Sequence, residues 1–403
     1  MQQARPFASI RRVLGATLIA SAGLFGSAAH AVTLQQCADQ LKATAIANGI
    51  DREIAEVALG KVVPDEDPIK FSKSQPEFKT PIWDYMTFLV DDDRIRDGQI
   101  LVRFHDEVLR KIEAEYGVDR YTIVALWGVE SNYGREQGRF FIPHSLANLI
   151  CNGRRTKFFR GELMSALEVV DRGDLRLADL WGSWAGAFGH TQFIPSTYKR
   201  LAVDFDGDGK RDLVRSIPDA LASTANYLKR GGWYTGLEWG WEVKVPAGYS
   251  GPEGRKQRYP TADWTARGFT LIDGRPLPGT GRRALLRPAG PNGPAFLVTR
   301  NFNAIYSYNA AESYALAISH LSDRIRGQGT FKTAWPTDDL GLNRRQRFDL
   351  QVLLNANGFD VGEPDGKVGS MTRAGIRAAE ASFGMPETGR AGTKIYRRLG
   401  GKL

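Results

Sequence analysis

Apolar residues recur at three- and four-residue spacing from about residue 33 to 234, stop doing so between 239 and 300, and resume at 313. This interruption constrains the fold more than any other feature, because a period near 3.6 demands helices and its loss forbids them. The spacing predicts helices over 35–48, 51–60, 100–116, 120–131, 158–172 and 216–230. Between 239 and 300, the alternation in Trp241-Glu242-Val243-Lys244-Val245 and frequent Gly, Pro and Arg predict a small strand-rich insertion. The helical domain is therefore expected to be discontinuous in sequence. The segment 328–339, with Gly329, Pro336 and several threonines, reads as a linker, and 340–403 reads as a separate unit of short helices.

A chain of 403 residues exceeds one ordinary core, so two or more domains are expected. Its first residues carry Arg5, Arg11 and Arg12, then a short apolar run ending in Ala29-His30-Ala31. That is the layout of a secretory signal over 1–31, removed on export to the periplasm. No later stretch is apolar enough to span a bilayer. Cys37 and Cys151 are the two cysteines, and an even pair in an oxidising compartment is expected to be bridged. Two cysteines and scattered histidines build no zinc site. Without the three arginines of the predicted leader the formal charge of +9 falls to +6, a mild excess that suits an anionic polymer. Export and the lack of any nucleic-acid motif argue against DNA or RNA. The mature chain is expected to be a monomer.

Four clusters carry the chemistry. Glu130 ends the segment Trp127-Gly128-Val129-Glu130-Ser131-Asn132-Tyr133-Gly134, with Asp119 as a predicted N-cap. On a helix, Leu126 and Trp127 share its face, and the last turn is the negative end of the dipole. Desolvation and dipole both favour the neutral carboxyl, which suits a general acid. The bland alternative is a solvated glutamate at a helix end. The passage 181–196 is rich in Gly, Ala, Ser and aromatic residues, so a ligand can approach its backbone closely while rings offer flat faces to sugars. Its Gln192 can donate to and accept from an acetamido group. A third cluster, Asn303 to Asn309 with Tyr314, offers phenols and amides to a polyhydroxylated ligand. Asp204, Asp206 and Asp208, with Gly209 and the carbonyl of Lys210, follow the first half of a calcium loop. Arg215 stands where that loop wants a glutamate, and Asp219 could substitute.

The first three clusters and the aspartate loop, in this order, resemble the lytic murein transglycosylase B family over roughly 33–326. The resemblance implies a mainly α, lysozyme-like catalytic domain (α+β once the insertion is counted) with a groove for peptidoglycan glycan strands. It implies that Glu130 is the catalytic residue and that Ser183, Gln192, Tyr227, Tyr308, Asn309 and Tyr314 line sugar subsites. It also places a structural calcium at Asp204, Asp206, Asp208 and Asp219, with no cofactor needed for catalysis. This chain is one residue longer before Asp219 than the family's loop, and Phe188 and Ile194 replace frequent methionines. Residues 340–400, with Asp365-Gly366, Gly369 and Thr372, resemble a three-helix peptidoglycan-binding module. A tethered module would raise the effective concentration of enzyme at the polymer.

One well-placed acid without an evident second carboxylate fits substrate-assisted cleavage between N-acetylmuramic acid and N-acetylglucosamine, ending in a 1,6-anhydro ring. The anhydro outcome comes from the resemblance. The competing readings are a hydrolytic muramidase using the same acid and a non-catalytic cell-wall scaffold.

Overall fold

The computed structural model describes residues 33–73 and 80–403, so the signal predicted over 1–31 lies outside the described residues. The helix Arg120–Ser131 organises the rest. Asp119 caps it, accepting from the Thr122 N–H at 3.0 Å, and every residue from Thr122 to Gly128 is buried. A helix buried on all faces must be wrapped by others. Helices Glu312–Ile325, Asp92–Phe104, Asp106–Tyr116 and Ile217–Arg230 pack around it. The helix predicted over 100–116 is thus two, broken at His105.

A second apolar core is built by Leu34–Ala47, Arg52–Leu59, Ile142–Cys151, Thr156–Asp171 and Pro195–Leu201. Cys37 and Cys151 are bonded, joining the first of these helices to the third, with Cα atoms 5.9 Å apart. Tyr227 and Tyr308 pack against both cores, so they mark the seam between two lobes.

The interruption in helical period is an antiparallel sheet. Its strands run in the order Arg258–Pro260, Arg282–Leu286, Phe296–Val298, Gly240–Lys244 and Thr270–Leu271. Alternate residues point to opposite faces. Ala284, Leu286, Phe296 and Val298 therefore join the core around Arg120–Ser131, while Leu285 and Leu297 face a small core of their own with Val243, Trp264 and Phe269. Both faces of the sheet are covered. The chain re-enters helix at Arg300–Asn309, a segment whose polar and aromatic content hides its periodicity.

Residues 328–339 are held along this body. Glu242 accepts from the backbone N–H groups of Lys332 and Thr333, each at 2.7 Å, and Phe331 stacks on His320 with centroids 3.9 Å apart. The last three helices, Arg344–Ala356, Ser370–Ser382 and Thr393–Arg398, enclose a core of Leu350, Leu354, Ile376 and Ile395. Buried Gln351 accepts from the N–H groups of Asp365 and Gly366 and donates to the Asp365 carboxylate, the Lys367 carbonyl and the Thr372 hydroxyl. One amide thus fixes the Asp-Gly turn. This unit meets the larger helical body through Arg390, which pairs with Asp84 and also with Asp339, and through Arg344, 3.0 Å from Glu136.

Candidate active site

Glu130 stands in the last turn of the buried helix and opens on the seam between the lobes. Burial pushes its carboxyl up to about 7 from an ordinary 4.5, partly offset by a hydrogen bond that the Tyr314 hydroxyl donates to its Oε1. This brings both the neutral and the charged form within reach near neutral pH. That balance suits a group that must first give a proton and then take one.

The residues after Glu130 have structural reasons for their identity. Ser131 donates to the His190 carbonyl at 2.5 Å and accepts from the Gly134 N–H at 2.8 Å, folding the chain back beneath the acid. Gly134 has φ of +84°, and a Cβ there would lie 2.3 Å from the His190 ring. Gly128 lets the Tyr133 ring lie on the helix, where a Cβ would come within 2.6 Å of it. The Trp127 indole N–H donates to His190 Nδ1 at 3.0 Å, and burial holds that imidazole down to about 4, hence neutral. The acid therefore rests on a fixed aromatic base.

Tyr314 and Tyr308 stack in near-parallel planes with centroids 6.4 Å apart, and Tyr227 follows at 4.7 Å from Tyr308. The Tyr308 hydroxyl donates to the Thr191 carbonyl at 2.7 Å, and that of Tyr227 to the Ser307 carbonyl at 2.7 Å. Both phenols are thus anchored, and their rings with Phe193 form the wall next to Glu130. Gln192 is held in a left-handed conformation (φ +51°), its amide nitrogen donating to the carbonyls of Gly189 and Gln137, each at 2.9 Å. Its donor capacity is spent within the protein, so Oε1 is the atom left for a ligand. Ser183 sits in the adjoining turn, where its hydroxyl accepts from the Ala187 N–H at 3.0 Å. Asn309 is exposed at the end of its helix. The structure thus gathers Glu130, Tyr314, Tyr308 and Tyr227 tightly, with Gln192 linked through Thr191 and Phe193.

Sequence reasoning passed over His190, Thr191 and Tyr85. Thr191 is fully buried, and its hydroxyl has no partner among the described residues. Tyr85, on the helix Ile82–Leu89, is near enough to Tyr314 to help keep that phenol neutral. His190 follows Gly189 inside the Gly-rich passage, and that context is the one signal that could have singled it out.

Asp204, Asp206 and Asp219 bring one carboxylate oxygen each within 4.8 Å of the others. Buried Asp219 is raised by desolvation, although the N–H groups of Phe205, Asp206 and Asp212 bond to it. Among the described residues no lysine or arginine forms an ion pair with these three. Converging carboxylates, one of them desolvated and all without a cationic partner, fit a hard divalent cation. Asp208 stands outside the trio, its Oδ1 accepting from the Lys210 N–H at 2.8 Å.

With this geometry in view, the relatives are informative. A transglycosylase SLT domain matches residues 33–323, and a peptidoglycan binding domain matches 343–399. The membrane-bound lytic murein transglycosylase B of Escherichia coli (strain K12) is 35% identical over 247 residues, which cover 60% of this chain and 66% of that protein's length. SltB3 of Pseudomonas aeruginosa, solved with NAG-anhNAM-pentapeptide, is 43% identical with a TM-score of 0.74, covering 91% of this chain and 99% of its own. Escherichia coli Slt35, solved in complex with calcium, is 30% identical with a TM-score of 0.63, covering 72% of this chain and 92% of its own. The matched transglycosylase family spans the helical body and its sheet. The chain belongs to the lytic transglycosylases, lyases acting on peptidoglycan, and carries a peptidoglycan-binding domain at its C-terminal end.

Proposed function

We propose that Glu130 is the single acid and base with which this chain cleaves the β-1,4 bond between MurNAc and GlcNAc, leaving 1,6-anhydroMurNAc ends. The observation that carries this is a carboxyl raised to about 7 whose hydrogen-bond partner is a tyrosine. The largest influences on Tyr308 are burial, Glu130, the hydrogen bonds of Thr224 and Thr191, and Tyr227; those on Tyr314 are burial, Glu130, Tyr308 and Tyr85, with no second carboxylate among them. Two-carboxylate glycosidases place their pair about 5–9.5 Å apart across the scissile bond.

Neutral Glu130 gives its proton to the linking oxygen as the C1–O bond breaks, and the GlcNAc hydroxyl leaves. The carbonyl oxygen of the MurNAc acetamido group supports the positive charge at C1, and Gln192 Oε1 can accept from the acetamido N–H and orient it. Glu130, now a carboxylate beside Tyr314, takes the proton of the C6 hydroxyl, and O6 bonds to C1. No water is consumed. Tyr227 and Tyr308 offer apolar faces to the sugars, with Ser183 and Asn309 at the margins of the groove. Asp204, Asp206 and Asp219 would hold calcium, which Slt35 is solved with, as a structural ion that cross-links the loop to the helix Ile217–Arg230. The substrate is taken to be peptidoglycan glycan strands that still carry peptides, as in the SltB3 complex with NAG-NAM-pentapeptide. The setting is the periplasm, which the predicted leader and this substrate support.

The test is product analysis on purified sacculi. Wild type should release anhydro ends that borohydride leaves unreduced, and Glu130→Gln should lose about 10²- to 10⁴-fold in rate while still binding sacculi. Reducible ends would indicate a hydrolase, and a variant retaining a tenth of the activity would place the acid elsewhere.

A further inference from the structure

We infer that the strand-rich insertion carries a binding face for the carboxylates of the peptide stem, formed by Arg255, Arg258, Arg282 and Arg300. Arg258 and Arg282 lie on paired strands, and Arg282 Nη2 donates to the Arg258 carbonyl at 2.5 Å. Arg255 lies over the Tyr306 ring, 3.5 Å from its centroid, with Nη1 3.5 Å from Asn303 Oδ1. Arg300 begins the helix that carries Asn303 one turn later on the same side. The four charges are close enough to act on one another. Arg258 is held below its ordinary value, first by burial and then by Arg300, Arg255 and Arg282.

Like charges gathered on one face repel, and proteins normally relieve this with carboxylates. Here the relief is slight. Among the described residues, Arg255 has Glu312 at 3.6 Å, while Arg258, Arg282 and Arg300 form no ion pair. Arg282 and Arg300 are exposed. Three unneutralised guanidinium groups beside one another form a site suited to multiple carboxylates, since each planar fork can take one bidentately.

The position selects the ligand. The helix Arg300–Asn309 brings Tyr308 to the wall beside Glu130 at one end and Arg300 to the cluster at the other. At 1.5 Å per residue its ends are about 14 Å apart. An extended peptide of four or five residues spans about 13–18 Å, and any such stem ends in a carboxylate. A stem fixed to the MurNAc bound over Glu130 can therefore reach the arginines. This rests on the proposal that the substrate is a glycan strand bearing peptides.

The experiment measures binding separately from cleavage, with Glu130→Gln protein and two soluble polymers. One is glycan strands with their stems, and the other is the same strands stripped by an amidase. Adding Arg258→Gln and Arg282→Gln together should weaken Kd for the stem-bearing strands by about 2- to 30-fold, the yield of two exposed ion pairs, more at low salt. Bare strands should bind as before. Arg258→Lys with Arg282→Lys should recover part of the lost affinity, since the charge returns without the planar fork, which separates charge from folding. Unchanged affinity for stem-bearing strands would overturn the inference, and so would equal weakening on both polymers. Failure of wild-type protein to make anhydro ends would instead refute the proposed reaction and leave this binding result standing.

Discussion

Replacing Glu130 by glutamine should stabilise the protein at neutral and alkaline pH, and by a calculable amount. The carboxyl titrates near 4.5 in an unfolded chain and at about 7 in the fold. A group raised in this way contributes nothing unfavourable below pH 4.5, where it is neutral in both states. Its penalty grows as pH rises and is complete above 7, where the folded state must hold a desolvated charge. At about 1.4 kcal/mol per pH unit of displacement, the full cost is about 3 kcal/mol. Glutamine keeps the volume and still accepts from Tyr314, but it carries no charge. With an unfolding entropy of about 2.1 cal/mol/K per residue, 3 kcal/mol corresponds to about 4 °C in melting temperature for a chain of this size. The measurement is a pair of thermal melts, wild type and Glu130→Gln, at intervals from pH 4 to 9. Asp323, raised to about 6 by burial, and His320, lowered to about 3, titrate alike in both proteins and cancel in the difference. The curves should coincide near pH 4.5 and separate by about 4 °C above pH 8. A constant offset across the range, or a variant that melts lower at pH 8, would refute the claim that the fold strains this carboxyl.

Tyr314→Phe removes the donor that partly stabilises the Glu130 carboxylate, so the acid's pKa should rise. The alkaline limb of the pH–rate profile should then move to higher pH, whereas an acidward shift would contradict the assignment. Calcium should raise the melting temperature and a chelator lower it, through binding that favours only the native state. Asp219→Asn should abolish the difference, and elemental analysis finding no metal in wild type would end the idea. Reducing the Cys37–Cys151 bond should cost about 4–5 kcal/mol, the yield expected for a closed loop of about a hundred residues, read as a lower denaturant midpoint. An unchanged midpoint would mean that the helices it joins need no tie.

Much of the fold was legible because helical period and its loss are local properties of sequence. The capped helix to Ser131 follows from Asp119 and the apolar run. The sheet's place follows from the break at 239. Helix Arg300–Asn309 escaped because tyrosines and asparagines fill it, and their burial comes from lobes that meet only in three dimensions. At the site, Glu130 could be singled out from its neighbours in the chain, but its partner Tyr314 lies 184 residues away. The spacing of Asp204, Asp206 and Asp208 suggested one continuous loop, whereas the convergence of Asp204 and Asp206 with Asp219 depends on a helix that starts beyond that loop. Nothing in the sequence could foretell that Gln192 spends its N–H groups on Gly189 and Gln137.

The two-faced sheet also bears on how this chain can be cut. Its inner residues share a core with Trp239, Phe302 and the helix that carries Glu130. An engineer seeking a minimal enzyme would be tempted to splice 230 to 300 and discard a segment that looks like decoration in the alignment of helices. That graft would remove Ala284, Leu286, Phe296 and Val298 from the core that the helix Arg120–Ser131 shares, take the Phe296 ring away from Phe331, and leave the N–H groups of Lys332 and Thr333 without Glu242. The smallest viable catalyst is therefore defined by shared walls, and it includes the sheet.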